Sequence, residues 1–443
     1  MTTLSAQQEK ARTQIIRCIK DGQPLTTLTG FAGSGKSTIL PSILDSLGWQ
    51  PETIAFVAPT GKAAKVMRQK LKDQGYPNPM AGTIHSAIYR AKPAPIATLE
   101  DDLFNNEEAL AEATMICRSE GGDPLTDSMV MKLHKLVLRL KHELNQAYRE
   151  DKVNFQLNPD SSIKLANLIV VDEASMVGMR MRTDLEDFGV PIFAMGDPGQ
   201  LKPVEDEPGL LAGDPDFFLS EIHRQAADNP IIHLSTLARQ GKDLPIADYG
   251  NGVKVQRRKD YEDVFDREDA PQFLVGRNKT RWSVNQKLRE EFGIVDRAGQ
   301  KIGPQVGEKL IVCKNNRDNP DLVNGTECIA TSNADLVDGD STLQLSFEDD
   351  GGIEYRDKRV FQGLFEEHFH GPKGFTAPQA TAWRARKNSI EIDWAYAITV
   401  HKSQGSQWDD VVLIDESSVF RQDADNHLYT GVTRAAKTLT VLI

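Results

Sequence analysis

The segment from Gly30 to Ser37 constrains the fold of this chain more than any other, because it reads Gly-Phe-Ala-Gly-Ser-Gly-Lys-Ser. The run Leu25 to Thr29 before it predicts a strand, and the run Lys36 to Leu47 after it predicts a helix. A glycine-rich turn at such a junction lets backbone N–H groups surround phosphates at a helix N-terminus. The segment therefore predicts a nucleotide-binding loop, in which Lys36 reaches the β- and γ-phosphates and Ser37 ligates Mg²⁺. The alternative, a chance glycine-rich turn, would not account for both flanking elements.

Further strands and helices alternate around this loop. Thr53 to Ala58 predicts a second strand and Lys62 to Leu71 a helix, and the apolar runs Leu168 to Val171 and Ile192 to Met195 predict two buried strands. Strands separated by helices of this length form a parallel sheet that is covered on both faces. We therefore expect an α/β fold.

Two stretches interrupt the α/β pattern. In the first, at about 87–165, the sequence KVNFQLNPDSSIKL predicts a hairpin around Asn158 to Ser161, and apolar residues recur at helical spacing at Met129, Leu133, Leu136, Leu140, Leu144 and Ala147.

A second α/β pattern starts near Glu221, with predicted strands in 272–276, 394–399 and 411–415. It is broken at about 300–375 by the runs KLIVC, ECIAT and TLQLSF, which predict a small inserted β-barrel.

Composition excludes several classes of protein. The 443 residues carry 52 Lys and Arg against 64 Asp and Glu, so the net charge is −12 and any nucleic-acid contact must come from a local basic track. No apolar run is long enough to span a membrane, and the N-terminus lacks the apolar run of a signal peptide. The cysteines Cys18, Cys117, Cys313 and Cys328 form no CxxC pair, which excludes a disulfide scaffold and suits a cytoplasmic protein.

Acidic and basic residues near the loop extend the nucleotide hypothesis. Asp172 and Glu173 follow a predicted buried strand, so Asp172 is expected beside the metal and Glu173 where it polarises an attacking water; alone, such a pair would be surface charge. Arg224 and Arg434 leave two alternatives open. An isolated arginine is most often solvated, whereas both would supply positive charge to the γ-phosphate if the second α/β unit packs across the nucleotide.

Ten motifs occur in a fixed order along the chain: LSAQQ (4–8), GFAGSGKST (30–38), APTGKAAKVM (58–67), TIHS (83–86), VVDEASM (170–176), GDPGQLKPV (196–204), EIHRQ (221–225), FLVGRNKTRWSVN (273–285), YAITVHKSQGSQWDDV (396–411) and LYTGVTRA (428–435). Together they resemble the superfamily 1 helicases of the 5′→3′ branch, the RecD-like enzymes, and the compact size is most similar to the Dda helicases of T-even bacteriophages.

This resemblance implies an α/β fold with two RecA-like parallel-sheet motor domains, each carrying an insert. Domain 1A would comprise 1–86 and 166–218, with an inserted pin subdomain 1B at 87–165. Domain 2A would comprise 219–299 and 376–443, with an inserted SH3-like β-barrel, 2B, at 300–375. The first insert is longer than its counterpart in the Dda-like enzymes, chiefly through the helical stretch 100–150.

The resemblance also implies ATP and Mg²⁺ and assigns further residues to their site. Gln8 would read the adenine edge, Gln200 would contact the γ-phosphate, and Gln404 would couple nucleotide to DNA across the cleft. Arg224 and Arg434 fall on the family's two arginine-finger positions. The expected catalytic residues are Lys36, Asp172, Glu173, Gln200, Arg224 and Arg434; the loop would bind nucleotide through Gly30, Gly33, Ser34, Gly35, Lys36, Ser37 and Thr38, and Ser37 and Asp172 would ligate the metal.

A DNA-binding track follows from the same resemblance. Its expected residues are Pro59, Thr60, Lys62, Thr83 and His85 in the first motor domain, and Asn278, Lys279, Thr399, His401 and Lys402 in the second. Small polar and basic residues of this kind bind phosphate and sugar without reading sequence. Phe155 would stack on a base at the fork as part of the pin, and the alternative is a phenylalanine buried beneath the hairpin. The helical stripe Lys135, Arg139, His142 either touches duplex or is simply solvated.

The implied activity is ATP-dependent translocation 5′→3′ on single-stranded DNA with separation of fork DNA, in phage or bacterial DNA replication, recombination or repair. We expect a cytoplasmic monomer that works beside a single-strand DNA-binding protein. Two alternatives remain open: an RNA helicase, and an ATP-dependent translocase or remodelling subunit of a larger complex. A phosphate-loop kinase would leave the motifs of the second α/β unit unexplained.

Overall fold

The computed structural model describes residues 4–76, 80–91, 95–150, 155–203, 206–221, 229–262, 266–294, 303–316, 319–337, 341–371, 385–386 and 388–443. Within these ranges the strands are β1 Leu25–Gly30, β2 Ile54–Ala58, β3 Met80–Thr83, β4 Tyr89–Ala91, β5 Phe155–Leu157, β6 Leu168–Val171, β7 Ile192–Gly196, β8 Phe217–Leu219, β9 Ala247–Asp248, β10 Val253–Gln256, β11 Gln272–Val275, β12 Lys309–Val312, β13 Glu327–Ala330, β14 Asp335–Val337, β15 Thr342–Asp349, β16 Glu354–Phe361, β17 Ile392–Trp394, β18 Ala397–Thr399, β19 Trp408–Ile414 and β20 Ala435–Leu442.

The helices in the same ranges are α1 Ala6–Lys20, α2 Lys36–Leu47, α3 Gly61–Asp73, α4 Ile84–Ile88, α5 Pro95–Ser119, α6 Ser128–Glu150, α7 Met179–Glu186, α8 Pro230–Arg239, α9 Asn278–Glu291, α10 Gly363–His370 and α11 Ala424–Val432. None of the helices in the part of the chain that the structure describes is long and apolar enough to cross a membrane.

The first motor domain is built on a parallel sheet with the strand order β3-β2-β6-β7-β1-β8. Strand β2 explains why the sheet is covered on both faces. Phe56 packs into one core with Leu28 and Ile39, and its neighbour Val57 packs into a second core with Ile169. Side chains that alternate between two buried faces are typical of a doubly wound α/β domain, so the predicted α/β fold is confirmed.

The second motor domain repeats this plan with the strand order β18-β11-β19-β20-β10-β9, parallel except for the edge strand β9. The single strand predicted at 394–399 is wrong. Strand β17 pairs antiparallel with β12, whereas β18 pairs parallel with β11. The run 394–399 therefore crosses from one sheet to another, and its two ends, Trp394 and Ala397–Thr399, are both buried.

The second insert is an antiparallel sheet in the order β14-β15-β13-β12-β17, with β16 paired to β15. We call it the β insert (the described residues from 303 to 394). It has its own core, in which Trp394 contacts Phe365 at a ring separation of 4.8 Å. The last strand of the β insert, β17, ends at Trp394, where the run that leads back into the motor sheet begins, so the insert sheet reaches past the predicted boundary at 375.

The first insert is a two-helix arm, α5 and α6, joined to the motor domain through β4 and β5. The predicted amphipathic helix is confirmed, since Leu140 and Leu144 of α6 pack on Leu103 of α5, but Met129 of the predicted apolar stripe is 60% exposed. The predicted hairpin around Asn158 is wrong, because Ser162–Leu165 forms a 3-10 turn and β5 pairs with β4 instead. The turn is fixed from the other side by the Ser161 hydroxyl, which donates to the Ala87 carbonyl.

Candidate functional site

The loop between β1 and α2 has the compact backbone that its glycines predict. Gly33 and Gly35 adopt φ angles of 79° and 77°, in the left-handed region that favours glycine. At Gly30, a Cβ atom would lie 2.5 Å from the Ser34 Oγ and 2.9 Å from the Leu219 carbonyl oxygen. Glycine is therefore required at all three positions, and the loop can bring its backbone close to a phosphate chain.

Lys36 begins α2 and its side chain turns back into the loop. Its Nζ donates to the carbonyls of Gly30 and Phe31, at 2.5 and 3.1 Å. The loop thus holds the ammonium group where an anion could replace the two carbonyls. Ser34 is buried, and its hydroxyl has no hydrogen-bond partner in the described part of the chain. Thr38 is exposed, and the side chain of Ser37 lies outside what the structure describes.

The two predicted carboxylates follow β6. The Asp172 Oδ1 accepts the backbone N–H of Glu173 at 2.9 Å, and Glu173 has a φ of 52°, which is costly for a non-glycine residue. Burial and the Asp172 carboxylate raise the pKa of Glu173, while the charges of Arg434 and Lys36 act against them. These four groups therefore lie within electrostatic range of one another, and a carboxylate with a raised pKa suits a group that takes up a proton.

Arg434 brings the second motor domain into this centre. It is 6% exposed, and its guanidinium donates to the carbonyls of Thr430 and Ser406 at 3.1 and 3.2 Å. These bonds fix the arginine on its own domain while its charge acts on Glu173 across the cleft. The other predicted arginine finger, Arg224, lies outside the described residues.

The three predicted glutamines differ in their surroundings. Gln200 and Gln404 are 7% and 4% exposed, and the Gln200 Oε1 and Gln404 Nε2 have no partner in the described ranges. Buried amide atoms without partners are costly, so they fit a site that takes a polar ligand. Gln8 is already engaged, because its Nε2 donates to the Ser34 carbonyl at 3.2 Å and its Oε1 accepts the Ser5 N–H at 2.9 Å. Gln8 braces the loop in this state, and its contact with adenine stays a prediction.

Mg²⁺ fits the site only together with phosphate. Among the described residues, no group of three His, Cys, Asp or Glu is arranged to hold a metal ion. Mg²⁺ in nucleotide sites is commonly held by one or two protein oxygens, with water and phosphate oxygens as its other ligands. Asp172 at the end of β6 can supply such an oxygen, and the predicted second ligand is Ser37.

Sequence reasoning missed two contacts that join the motor domains at the phosphate loop. The Tyr429 hydroxyl donates to the Asp197 carboxylate at 2.6 Å and accepts the N–H of Ala32 at 2.9 Å. The Arg239 guanidinium lies 3.3 Å from the ring centroid of Phe31. The sequence could have indicated these contacts, since Tyr429 lies in the motif LYTGVTRA and Phe31 in the glycine-rich loop.

Most of the predicted DNA residues of the first motor domain lie at helix starts. Thr60 and Thr83 cap α3 and α4, their hydroxyls accepting the N–H groups of Ala63 and Ser86, and Pro59 is half-buried beside Thr60. His85 is exposed, and its ring lies 6.1 Å from that of Phe155.

Phe155 is 44% exposed, so its interpretation as a buried residue is wrong. Its ring lies 6.4 Å from that of Tyr89, and the Tyr89 ring lies 5.3 Å from that of His85. These three rings form an aromatic cluster at the base of the two-helix arm. The structure thus brings together two of the predicted DNA residues that are 70 positions apart in the chain (155 − 85).

In the second motor domain, the predicted DNA residues are less accessible. Thr399 is 9% exposed and its hydroxyl oxygen accepts the N–H of Lys402 at 3.3 Å. The Lys402 Nζ lies 3.0 Å from the Cys313 Sγ of the β insert. The His401 ring lies 5.3 Å from that of Phe420. Asn278 and Lys279, in contrast, are exposed in the first turn of α9.

Lys62 is covered by the β insert. Its Nζ donates to the Glu327 Oε1 at 3.3 Å and to the Asp350 carboxylate, and the side chain is 12% exposed. The neighbouring Lys65 donates to Asp349 and Asp350 at 3.1 and 2.6 Å. We call Glu327, Asp349 and Asp350 the carboxylate clamp. Burial favours a raised pKa for Asp350, but the hydrogen bonds from the two lysines bring that pKa below its usual range.

Comparison with known proteins agrees with this architecture. A model of an AAA domain matches residues 3–259, and a model of a UvrD-like helicase C-terminal domain matches residues 394–442. The RecBCD enzyme subunit RecD of Haemophilus influenzae is 24% identical over 477 residues, an alignment that covers 94% of this chain and 66% of RecD. This chain therefore spans just under two thirds of the length of that relative.

Two solved structures support the fold. The Pif1 helicase from Candida albicans is 19% identical with a TM-score of 0.50, and the comparison covers 100% of this chain and 95% of that one. Bacteroides Pif1, crystallised with single-stranded DNA, is 15% identical with a TM-score of 0.51, covering 100% and 92%. The two RecA-like motor domains are thus confirmed, whereas a particular closeness to the Dda helicases stays a prediction. The chain belongs to the AAA domain family, within the RecD and Pif1 type of superfamily 1 helicases.

Proposed function

We propose that this protein is an ATP-driven DNA helicase that moves 5′→3′ along single-stranded DNA and separates duplex at a fork. The observation that carries the proposal is the convergence of Lys36 and Glu173 from the first motor domain with Arg434 from the second. Because the charged centre is divided between two domains, a nucleotide bound there would favour a closed cleft, and its loss would favour an open one. Such a cycle can move a protein along a strand.

Each residue of the proposed site would have a separate role in ATP hydrolysis. Lys36 and the loop N–H groups would hold the β- and γ-phosphates, and Arg434 would offset the charge that develops during phosphoryl transfer. Mg²⁺, held by Asp172 and Ser37, would neutralise part of the phosphate charge. Glu173 would orient a water molecule and accept its proton, a role that its raised pKa favours.

Coupling to DNA would pass through the loop after β7. Leu201 donates its N–H to the Thr430 hydroxyl at 3.0 Å, and the Asn426 side-chain amide donates to the carbonyls of Gly199 and Gln200 at 2.9 and 3.0 Å. These bonds tie a loop of the first motor domain to α11 of the second. A shift of one domain would therefore move Gln200, the residue expected between the nucleotide and the DNA groove.

The proposed DNA track lies beside these elements. Thr60, Thr83 and His85 sit at the carboxyl-end edge of the first motor sheet, where ligands of open α/β sheets bind. Bacteroides Pif1, which has the same fold, binds single-stranded DNA, and forked DNA is the substrate of another Pif1 structure with a TM-score of 0.51. Fork DNA is therefore the substrate that we propose for this chain, in replication, recombination or repair.

The test is strand separation on two partial duplexes, one with a 5′ tail and one with a 3′ tail, in ATP and Mg²⁺. We expect the protein to unwind the 5′-tailed substrate alone and the Lys36→Ala variant to unwind neither. Unwinding of the 3′-tailed substrate would contradict the direction. ATPase activity that DNA stimulates, without strand separation, would instead support a translocase or a subunit of a larger complex, and equal unwinding of an RNA duplex would support an RNA helicase.

A further inference from the structure

The two-helix arm carries an unequal distribution of charge. Helix α5 is acidic, with exposed Glu107, Glu108 and Glu112, whereas the solvent side of α6 is basic. Exposed basic side chains recur on α6 at steps of three and four residues: Lys132, Lys135, Arg139 and His142. At 3.6 residues per turn they fall within a sector of about 80°. We call them the basic stripe.

Ion pairs within a protein usually account for exposed charges of this kind, but the described residues give the basic stripe few such pairs. In the described part of the chain, Lys132 and Lys135 form no ion pair. Arg139 reaches only Glu143, at 3.9 Å, and its side chain remains 67% exposed. Lys141, which lies outside the stripe, does pair with Glu107 of α5 at 2.8 Å. The arm therefore uses α5 to neutralise one flank of α6 and leaves the stripe available to a polyanion.

We propose that the basic stripe binds the phosphate backbone of the duplex ahead of the fork, an inference that rests on the proposed function. A charge concentrated on one face is notable in a chain with a net charge of −12, and phosphate is the anion that a row of lysine and arginine fits. From Lys132 to His142 the helix rises about 15 Å, which matches about four base pairs of one strand.

The position of the stripe favours duplex over the unwound strand. The arm leaves the motor domain at β4 and returns at β5, where Phe155 joins His85 in the aromatic cluster. Among the described residues, α5 and α6 pack mainly on each other and not on the motor sheets, so the arm extends from the region of Phe155, the proposed point of strand separation. Duplex that enters the fork would then lie along α6, while the separated strand would follow the motor domains.

Exposed Met131 and Leu138 flank the stripe, each 55% accessible. They offer the competing interpretation, in which the same face of α6 docks a protein partner. Charge decides between the two, because the stripe carries two lysines and an arginine, which in the described part of the chain pair with no carboxylate other than Glu143. Binding to fork and single-stranded DNA distinguishes duplex from a protein partner on this face.

The test compares the full-length protein with the triple variant Lys132→Gln, Lys135→Gln, Arg139→Gln, since glutamine keeps the helix propensity. The matched control is Lys10→Gln, Arg17→Gln, Lys20→Gln on the solvent face of α1, which removes the same charge. Binding of a 5′-tailed fork and of the tail strand alone is measured over a series of salt concentrations. Each phosphate that the protein no longer neutralises reduces the salt slope by about 0.9, so the slope for the fork should fall by about 2 to 3 in the triple variant.

We expect the variant to bind the fork on the order of tenfold more weakly, and the single strand as wild type does, with unchanged ATPase stimulation by single-stranded DNA. Equal losses on both substrates would overturn the assignment to duplex. A fork affinity that falls no more than in the α1 control would also overturn the assignment to duplex and support a protein partner on this face of α6. The proposed function is tested separately. It fails if the wild-type protein shows neither ATPase stimulation nor unwinding, whereas fork binding is measured without ATP and tests the basic stripe alone.

Discussion

The hydroxyl of Tyr429 on α11 donates a 2.6 Å hydrogen bond to the carboxylate of Asp197, which follows β7 in the first motor domain. The same hydroxyl accepts the N–H of Ala32 in the phosphate loop at 2.9 Å. Burial raises the pKa of Tyr429 above its usual range, so the proton stays on the hydroxyl and the bond to Asp197 persists. One side chain of the second motor domain thus holds two parts of the nucleotide site of the first.

Replacing Tyr429 with phenylalanine should therefore weaken turnover more than folding. The ring stays in the core, but Asp197 loses a hydrogen bond of the kind that contributes about 1.5–3 kcal/mol when one partner is charged. We expect DNA-stimulated ATPase to fall about tenfold, the effect of about 1.4 kcal/mol at the barrier. The control is Tyr249→Phe, whose hydroxyl donates to the Pro245 carbonyl at the surface. Equal rates in the two variants would contradict the role of Tyr429.

Weakening the carboxylate clamp should expose Lys62. In this state Glu327 and Asp350 satisfy its ammonium group, in the place that a DNA phosphate would take in the proposed track. The double variant Glu327→Gln, Asp350→Asn removes two negative charges that compete with phosphate. We expect its affinity for single-stranded DNA to rise by about tenfold, because the charged contacts that must be broken before binding become neutral.

The clamp prediction is checked by equilibrium binding without nucleotide. The control is Glu354→Gln on β16 of the same β insert, a carboxylate that pairs only with the exposed Arg356 among the described residues. An affinity in the double variant that equals the control or falls below wild type would show that the β insert does not compete with DNA at Lys62.

Local chemistry made much of the first motor domain predictable. Helix α2 has the bounds Lys36–Leu47 that the sequence predicts, because a glycine-rich turn fixes its start and Gly48 ends it in a left-handed conformation. The strand Leu168–Val171 is likewise as predicted, since a short run of β-branched and apolar residues needs burial on both faces. In each case the sequence signal lies within a few residues of the element.

Contacts between distant segments were not predictable from pattern. The run 394–399 reads as a single strand, and nothing local shows that Trp394 belongs to a different sheet from Ala397. Strand β5 finds its partner in β4, across the whole two-helix arm, so its neighbours in sequence gave a false hairpin. Lys62 pairs with Glu327 across a separation of 265 residues, which no motif of the first motor domain could reveal.

The exposure and contacts of Phe155 allow a specific test of the pin hypothesis. Its ring is 44% exposed and supported by His85 at 6.1 Å, so it can accept a base on its free side. Stacking of a base on an aromatic ring contributes about 1–3 kcal/mol. In Phe155→Ala we expect unwinding to slow by about tenfold or more, with DNA-stimulated ATPase within about twofold of wild type.

The matched control for Phe155 is Phe104→Ala, which removes a 59% exposed phenylalanine from α5 of the same insert. Because Phe104 lies on the two-helix arm and not in the aromatic cluster, it should leave unwinding unchanged. Loss of ATPase together with unwinding in Phe155→Ala would contradict the pin hypothesis, since the residue would then act on DNA binding or folding.

A buried histidine in the second motor domain should make stability depend on pH. His427 is 1% exposed, stacks on Phe420 at 4.1 Å, and its ring nitrogens have no hydrogen-bond partner in the described ranges. Burial, together with the neighbouring His401, lowers the pKa of His427 to about 3, and Glu416 only partly opposes this. Between about pH 6.5 and pH 3 the unfolded chain therefore binds more protons at this site than the folded one.

The stability that neutral His427 contributes is thus fully present above about pH 6.5 and is lost as pH falls toward 3, by at most about 1.4 kcal/mol per pH unit. In His427→Gln we expect the difference in the free energy of unfolding between about pH 7 and pH 5 to shrink by about 2 kcal/mol. Urea unfolding at both pH values measures it, with exposed His233→Gln as the control. If His427→Gln keeps the pH dependence of wild type, the histidine is protonated in the folded protein, and the apolar stack around it does not hold the ring neutral.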